Sequence, residues 1–555
     1  MAHNSQVPRA AATVPVVRDA VPGGIEVLLL KRPASTHDIT SGAWVFPGGV
    51  VEDQDREGHA FCTGLDDQEA SRRMGVARGG LDYYVAAIRE CFEECGLLVA
   101  LVDSATPADP AAGRDPHLFD ARNRLRHGEW NFAALCREHT LRFIPSRLAF
   151  LSHWITPAGL PKRFDTRFFL AAAPCGQRVS HDGAELVDHV WIAPAAALER
   201  GATLQLPIPT RSILSAIAGF DSVASLFAWA HGLDEIPVTL PRMGTGRAGK
   251  RVVLPTEAAW AEIGRLDPDG RADALYEIEP GRAVRLSDRV IRLTAHNGGP
   301  MTGPGTNSYL VGGGTRNEWA VLDPGPADPV HIATLIAAAP GPIRWVFATH
   351  THQDHSPAAH LLHSSTGAEI RGMPPHTTEW QDLTFHTDKP LAGGERLRVA
   401  DNATLAVIHT PGHASNHLCY LLEEEKLLFS GDHVMQGSSV VINPPDGDMS
   451  AYLESLRSLL DVDLEWIAPG HGFLIADPHR ALRAIIRHRE QREAKVFSAL
   501  AALGTATGAA LLARVYDDVP ERLHGVAARS LLAHLQRLEA RGMARRSGDR
   551  WVPAA

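Results

Sequence analysis

The sequence predicts a multidomain α/β protein that ends in a small helical module. Three observations predict it. At 555 residues the chain exceeds what one hydrophobic core supports, and it divides into about three or four domains. Strand-like apolar runs alternate with helical stretches in two separate blocks, near 12–215 and 286–475. From about residue 480 the pattern turns helical and basic. The expected domains are 10–215, a linker or small subdomain at 216–285, a second α/β domain at 286–478, and a C-terminal module at 480–555.

In the first block IEVLLLKR, AWVFPGGVV and RFFLAAA read as strands, and Leu81 to Cys95 reads as a helix. Within 216–285, GFDSVASLFAWAHGLDEI suits a helix and PRMGTGRAGK a loop. The second block has strand-like runs WAVLDPG, IRWVFATH, ATLAVIHTPGH, KLLFSGDHV and WIAPGHG. Each carries histidine, aspartate or glycine at or beside its end, so a sheet would present a site along one edge. ADPVHIATLIAAA between them suits a helix.

The composition, 45% hydrophobic and 21% charged, is that of a globular protein. No apolar run reaches 18 residues, so no membrane span is expected, and the N-terminus lacks the pattern of a signal peptide. Six scattered cysteines form no disulfide or zinc-finger spacing, which points to a reducing cytoplasm. The net charge of −10 excludes a protein that coats nucleic acid along its whole length. The charge is uneven. Residues 480–555 hold 14 Lys/Arg and 7 Asp/Glu, a net of +7, which leaves −17 on the rest. A basic tail on an acidic body suits either a phosphate backbone or a plain solvated helix face.

The stretch THTHQDHS (349–356) concentrates His350, His352, Asp354 and His355. Its companions are Asp323 in VLDPG, His413 in HTPGHASNH, Asp432 in FSGDHV and His471 in APGHG. Imidazole nitrogens and carboxylate oxygens are the donors a zinc-like ion prefers. His350 and His352, two apart on an extended segment, point the same way, while Asp354 and His355 turn toward a neighbouring position. The set is large enough for two ions about 3.5–4 Å apart.

With five motifs in this order, the stretch from Asp323 to His471 resembles the metallo-β-lactamase fold hydrolases. The resemblance implies an αββα sandwich. It implies a first Zn²⁺ (or similar transition metal) on His350, His352 and His413, and a second on Asp354, His355 and His471. Asp432 would bridge them, Asp323 would buttress the site, and Asp354 and Asp432 would be the catalytic carboxylates around a metal-bound hydroxide nucleophile. His417 and His433 would be orienting residues or ordinary packing residues.

That family includes lactamases, thioesterases of the glyoxalase II type, lactonases and nucleases. Only 38 residues separate Asp432 from His471, too few for the large inserted domain of one RNA-processing branch. GPGTNSYLVG (303–312) resembles the N-terminal strand of the lactamase-like endoribonuclease group, and VPERLHGVAARSLLAHLQRLEARGMARR resembles the winged helix of that group. Leu531, Leu532, Leu535 and Leu538 would be its core, with Arg545, Arg546 and Arg550 near the wing. The resemblance favours hydrolysis of a phosphodiester in single-stranded RNA. A thioester or other small-molecule ester is the alternative.

Upstream, AAIRECFEECGLL (86–98) places Glu90, Glu93 and Glu94 at i, i+3 and i+4 on one helical face, where a cation would offset their repulsion. All-oxygen donors suit Mg²⁺ or Mn²⁺. With FPGG at 46–49 the segment resembles the Nudix box of pyrophosphate-cleaving hydrolases, an α/β/α sandwich; Gly49, Arg89, Glu90, Glu93, Glu94 and Gly96 match. By that resemblance Glu93 and Glu94 bind metal, Glu90 assists catalysis, and Arg89 orients the carboxylates. Gly48 would offer a carbonyl, and Glu185 a further ligand. The box is split: Asp55, which matches its first acid, precedes Arg89 by 34 residues. The split resembles the coenzyme A diphosphatase-like branch, so a nucleoside-diphosphate-linked substrate is implied. A binding or regulatory module that retains the box is the alternative.

Overall fold

The computed structural model describes residues 7–33, 41–99, 101, 116–180 and 187–554. The chain forms two units. The first runs to Arg242 and includes Asp269–Arg271; the second comprises Met243–Pro268 and Ala272 onward. Among the described residues no helix is long and apolar enough to cross a membrane, and all six cysteines are free thiols.

In the first unit a nine-stranded mixed sheet is organised around Phe164–Ala172. This strand runs parallel to Arg9–Thr13 and Val16–Asp19 and antiparallel to Ala149–Ile155. Its inward face carries Phe169 and Ala171 against helix Gly80–Cys95, whose Tyr84, Val85, Ile88, Cys91 and Phe92 complete the core. The helix stops at Gly96, which takes a left-handed φ of 76°. The insertion that splits the box contains helix Asp67–Met74, which is capped by Asp66.

The second unit contains two facing sheets. One has seven strands, from Ala283–Arg285 to Lys389–Pro390; the other has six, from Arg396–Ala400 to Ile475–Ala476. Val290, Tyr309, Phe347, Leu405, Tyr420 and Phe429 fill the layer between them. Helices Pro329–Ala338 and Ala358–Thr366 cover the outer face of the first sheet, and Met449–Ser458 covers the second. This is the αββα sandwich that the strand-end motifs imply.

The stretch 216–285, expected as a linker or small subdomain, is divided between the two units. Helix Val223–His231 and strand Val238–Thr239 belong to the first unit, and the strand pairs with Ala149–Ile155. Helix Trp260–Leu266 belongs to the second. There Glu262 is buried and forms a two-point ion pair with Arg292 (2.7 and 2.9 Å), while also accepting from the Leu474 amide. A carboxylate buried at this depth requires such a partner, and nothing in its local sequence announces one 30 residues away.

Helix Pro478–Leu503 leads out of the sandwich into a module of helices Gly508–Val515 and His524–Ala540 and a three-stranded sheet. Leu531, Leu535 and Leu538 are buried in its core with Leu511, Val515 and Trp551, and Leu532 is partly buried there. Arg545, Arg546 and Arg550 lie exposed on the hairpin Ala544–Ser547 and Arg550–Pro553. The module is packed onto the sandwich: Ala533 joins the cluster around Tyr452, Leu453 and Leu456.

Candidate metal centre

The chain leaves Leu427–Gly431 directly into Asp432, and it leaves Trp466–Pro469 two residues before His471. His350 and His413 likewise follow strands Ile343–Phe347 and Ala403–His409. Strand ends release the backbone from the ladder and let a turn aim each side chain at a common point. Gly431 has a φ of 45°, and a Cβ there would meet Thr349 Oγ1 at 2.4 Å, so the residue before Asp432 must be glycine. A Cβ on Gly470 would lie 2.6 Å from Asp432 Oδ1.

His350 Nε2 and His413 Nε2 lie 3.0 and 3.1 Å from His352 Nδ1, so three ring nitrogens converge. His355 Nε2 and His471 Nε2 lie 3.4 and 3.3 Å from Asp354 Oδ2. Asp432 stands between these groups. Its Oδ1 is 3.4 Å from His355 Nε2 and 3.3 Å from His471 Nε2, and its Oδ2 is 3.8 Å from His413 Nε2. Among the described residues, the clusters whose donor atoms converge enough to hold an ion all lie here.

The far sides of the His355, His413 and His471 rings are anchored. Asp323 Oδ2 accepts from His355 Nδ1 (3.0 Å) and from Thr349 Oγ1, and its Oδ1 accepts from the Thr349 amide. His413 Nδ1 donates to the Val441 carbonyl (2.8 Å) and His471 Nδ1 to the Gly305 carbonyl (3.1 Å). These partners fix the tautomers that leave Nε2 as a lone-pair donor. His355 Nε2, His471 Nε2 and Asp432 Oδ1 are buried, and none makes a hydrogen bond. Buried polar atoms left in this state are costly, and the nitrogen–oxygen donor set suits divalent ions of the zinc type. The residues therefore fit the pair of metals.

The electrostatics divide the centre. Burial, then the adjoining His413, pushes His352 down to about 3, so it offers a neutral ring. At His471 burial opposes charge, but Asp432 and Asp354 outweigh it and hold the ring up to about 10. The second pole is thus an anionic pocket that a cation would fill.

His417 is buried and stacks on His350 with ring centroids 5.0 Å apart, its Nδ1 against Thr410 Oγ1. It lies outside the converging donor groups. His433 is packed against Tyr452 in the same layer. GPGTNSYLVG braces the centre. Gly305 supplies the carbonyl for His471, Thr306 Oγ1 donates to Asp354 Oδ2 (3.2 Å), and the Asn307 amide group donates to the carbonyls of Pro469 and Gly472.

A cavity of about 300 Å³ opens beside His471. Its wall includes Ile278, Met301, Pro304, Met435 and Phe473, together with Ala258, and no Lys or Arg. Sequence reading missed Ala258 and Ile278, because they come from the stretch read as a linker. It also missed Gln381, which forms an isolated β-bridge with His352 and donates to Asp446 Oδ2 (2.8 Å).

In the first unit the glutamate helix is arranged differently. Arg89 is buried and forms a fork with Asp55 (2.7 and 3.0 Å), so tertiary packing closes the split box across 34 residues. The same guanidinium donates to Glu90 (2.8 Å), to the Val50 carbonyl, and at 3.4 Å to Glu93. The Gly48 amide donates to Glu94 Oε2 (2.8 Å). A Cβ on Gly49 would meet the Glu90 carboxylate at 2.4 Å, which explains the glycine. Burial raises Glu90 to about 7, with Arg89 opposing and Glu93 adding to the rise. Glu90, Glu93 and Glu94 share a face, but their oxygens turn onto Arg89 and Gly48 rather than onto one point. Glu185 lies outside the described residues.

Known proteins match in the same three pieces. The metallo-beta-lactamase superfamily model matches residues 301–471, the beta-lactamase associated winged helix domain 507–551, and the NUDT19 Nudix domain 78–210. The lactamase-like protein aptB of Emericella nidulans is 34% identical over 222 residues, 39% of this chain and 66% of that protein. The beta-lactamase-like protein 2 homolog of Drosophila melanogaster is 31% identical over 275 residues, 47% of this chain and 91% of that protein. An atrochrysone carboxyl ACP thioesterase of Aspergillus chevalieri is 32% identical over 251 residues, 43% of this chain and 76% of that protein. Among solved structures, a metallo-beta-lactamase family protein of Thermus thermophilus gives a TM-score of 0.42 at 23% identity, covering 48% of this chain and 100% of that one. A NUDIX hydrolase of Alicyclobacillus acidocaldarius gives 0.33 at 28%, covering 40% and 96%. The chain belongs to the metallo-β-lactamase superfamily, with a Nudix domain ahead of that fold and a β-lactamase-associated winged helix behind it.

Proposed function

We propose that the metal centre hydrolyses a thioester with an apolar acyl group, the alternative to RNA in the sequence reading. The observation that carries this is the cavity beside His471, walled by Ile278, Met301, Met435 and Phe473 and without lysine or arginine. An apolar acyl chain gains from such a wall, which offers no lysine or arginine to the phosphates that flank a phosphodiester. Two further features weigh the same way. GPGTNSYLVG braces the ligands, a role indifferent to substrate. Helix His524–Ala540 is taken up by packing on both its own core and the sandwich, and Arg537 and Arg541 are paired with Glu493. The relative named as an ACP thioesterase supports this reading.

His350, His352 and His413 would hold one ion, Asp354, His355 and His471 the other, with Asp432 between them. When bound, such a pair activates water and polarises a carbonyl. The chain's own part is to keep His355 and His471 aimed through Asp323 and the Gly305 carbonyl, and to seat the acyl group against the apolar wall.

For the Nudix half we propose Mg²⁺- or Mn²⁺-dependent cleavage of a nucleoside-diphosphate-linked compound by Glu93 and Glu94, with Glu90 and Arg89 assisting. The buried Asp55–Arg89 fork supports a competent box. An acyl thioester of coenzyme A would offer a bond to each half, the thioester to one and the diphosphate to the other. The test offers purified protein a medium-chain acyl thioester beside a labelled single-stranded RNA. Thioester turnover that disappears in Asp432→Ala, with the RNA intact, is expected. RNA cleavage with the thioester untouched would return the centre to the nuclease reading.

A further inference from the structure

Helix His524–Ala540 reaches the rim of the metal centre through Arg529. The Arg529 guanidinium lies over the Trp380 ring, 4.7 Å from its centroid. Trp380 is 56% exposed, although Gln381 and Asp382 beside it are buried. Its φ is +66°, a region that bulky L residues rarely adopt. The segment that follows is held fast. Gln381 pairs with His352 in the β-bridge, the Gln353 amide group donates to the Gln381 carbonyl (3.1 Å), and the Asp382 amide donates to the Thr351 carbonyl (2.6 Å). An exposed indole is thus fixed, in a disfavoured backbone conformation, one residue from the bridge partner of a ligand.

Three other arginines of the C-terminal segment are held in ion pairs. Arg492 is paired with Asp518, and Arg537 and Arg541 with Glu493. Among the described residues Arg529 has no hydrogen-bond or ion-pair partner; its charge meets only the indole face. Burial accounts for neither the exposed aromatic nor the uncompensated cation. Together they make a surface that stacks an extended group and attracts an anion.

We propose that Trp380 and Arg529 form a carrier-binding rim for the metal centre, through which the winged helix selects leaving groups that bear a phosphate. The indole packs along the carrier arm of the thioester, and the Arg529 guanidinium neutralises its phosphate. The proposal rests on the thioester reading. It adds the half of the substrate that the acyl cavity does not address. It gives the winged helix a part in small-molecule recognition that needs no nucleic acid.

The test uses the full-length protein and two substrates that differ by one group, S-hexanoyl-4′-phosphopantetheine and S-hexanoylpantetheine. Neither contains a diphosphate, so the Nudix half has no bond to cleave. Wild type is expected to show the lower KM for the phosphorylated compound. Arg529→Gln should raise that KM about tenfold, the worth of one hydrogen bond to a charged group, and leave kcat and the other substrate unchanged. Arg529→Lys should restore most of the preference, and Trp380→Ala should raise both KM values. The rim is overturned if Arg529→Gln changes neither KM, or lowers kcat alike for both substrates. If wild type turns over neither compound, the thioester reading falls, and calorimetric titration with 4′-phosphopantetheine then judges the rim alone. Tighter binding to wild type than to Arg529→Gln upholds it; equal binding or none overturns it.

Discussion

The two acidic sites of this chain handle the same physical problem in opposite ways. At the glutamate helix, Arg89 donates to Asp55, Glu90 and Glu93, and the Gly48 amide donates to Glu94. At the histidine site no lysine or arginine stands among the ligands, and buried donor atoms of His355, His471 and Asp432 are left without hydrogen bonds. The carboxylates of the first site already have partners within the protein. The second is complete only with its ions. The difference agrees with donor type: oxygen donors suit a weakly held, hydrated Mg²⁺, and nitrogen-rich sets suit a resident transition metal.

The comparison can be broken most sharply at Asp432. Asp432→Ala removes the carboxylate between the two donor groups, and it should reduce thioester turnover about 10³-fold or more while leaving any magnesium-dependent diphosphatase intact. Parallel loss of both activities in a folded variant would mean that the two sites are not independent. Next in size is Arg89→Ala, which strands the buried Asp55 carboxylate. A cost of about 3–5 kcal/mol is expected, visible as faster hydrogen exchange along Gly80–Cys95 and unchanged exchange in the second unit.

A smaller effect is expected behind the histidines. Asp323→Asn keeps the shape but weakens the hold on His355 Nδ1, and it should lower metal affinity by about 10–100-fold, read by competition with a chelator. Chelation itself should lower the melting temperature of the second unit and leave the first unchanged. An equal drop in both would erase the distinction drawn above.

The smallest effect sharpens the contrast at a third carboxylate. Glu493 pairs with Arg537 and Arg541, as the carboxylates of the glutamate helix do with Arg89. Burial works against its charge, but these partners hold the carboxyl down to about 2. A folded pKa below the unfolded one stabilises above about pH 4.5, and the gain is lost as pH falls toward 2. Packing of His524–Ala540 should therefore loosen on acidification, with or without chelator. Sensitivity to chelator at neutral pH would show that the helix depends on the metal centre instead.

The sequence by itself determined the chemistry that depends on residue type and short spacing. His350, His352, Asp354 and His355 are legible because six positions of chain cannot separate them, and Glu90, Glu93 and Glu94 because helical periodicity puts them on one face. The order of the strand-end motifs was legible for the same reason, and so were the core leucines of the last helix. Tertiary structure alone decided what depends on long-range packing. It joined Asp55 to Arg89, divided 216–285 between two units, and brought Ala258 and Ile278 to the wall beside His471. It also tied Arg492, Lys495, Arg537 and Arg541 of the basic tail into internal ion pairs, and left Arg529 on Trp380. Local periodicity records which face a side chain occupies. Which partner that face meets is set by burial of apolar surface elsewhere in the chain, and a charge counted in the sequence carries no mark of whether folding will cancel it.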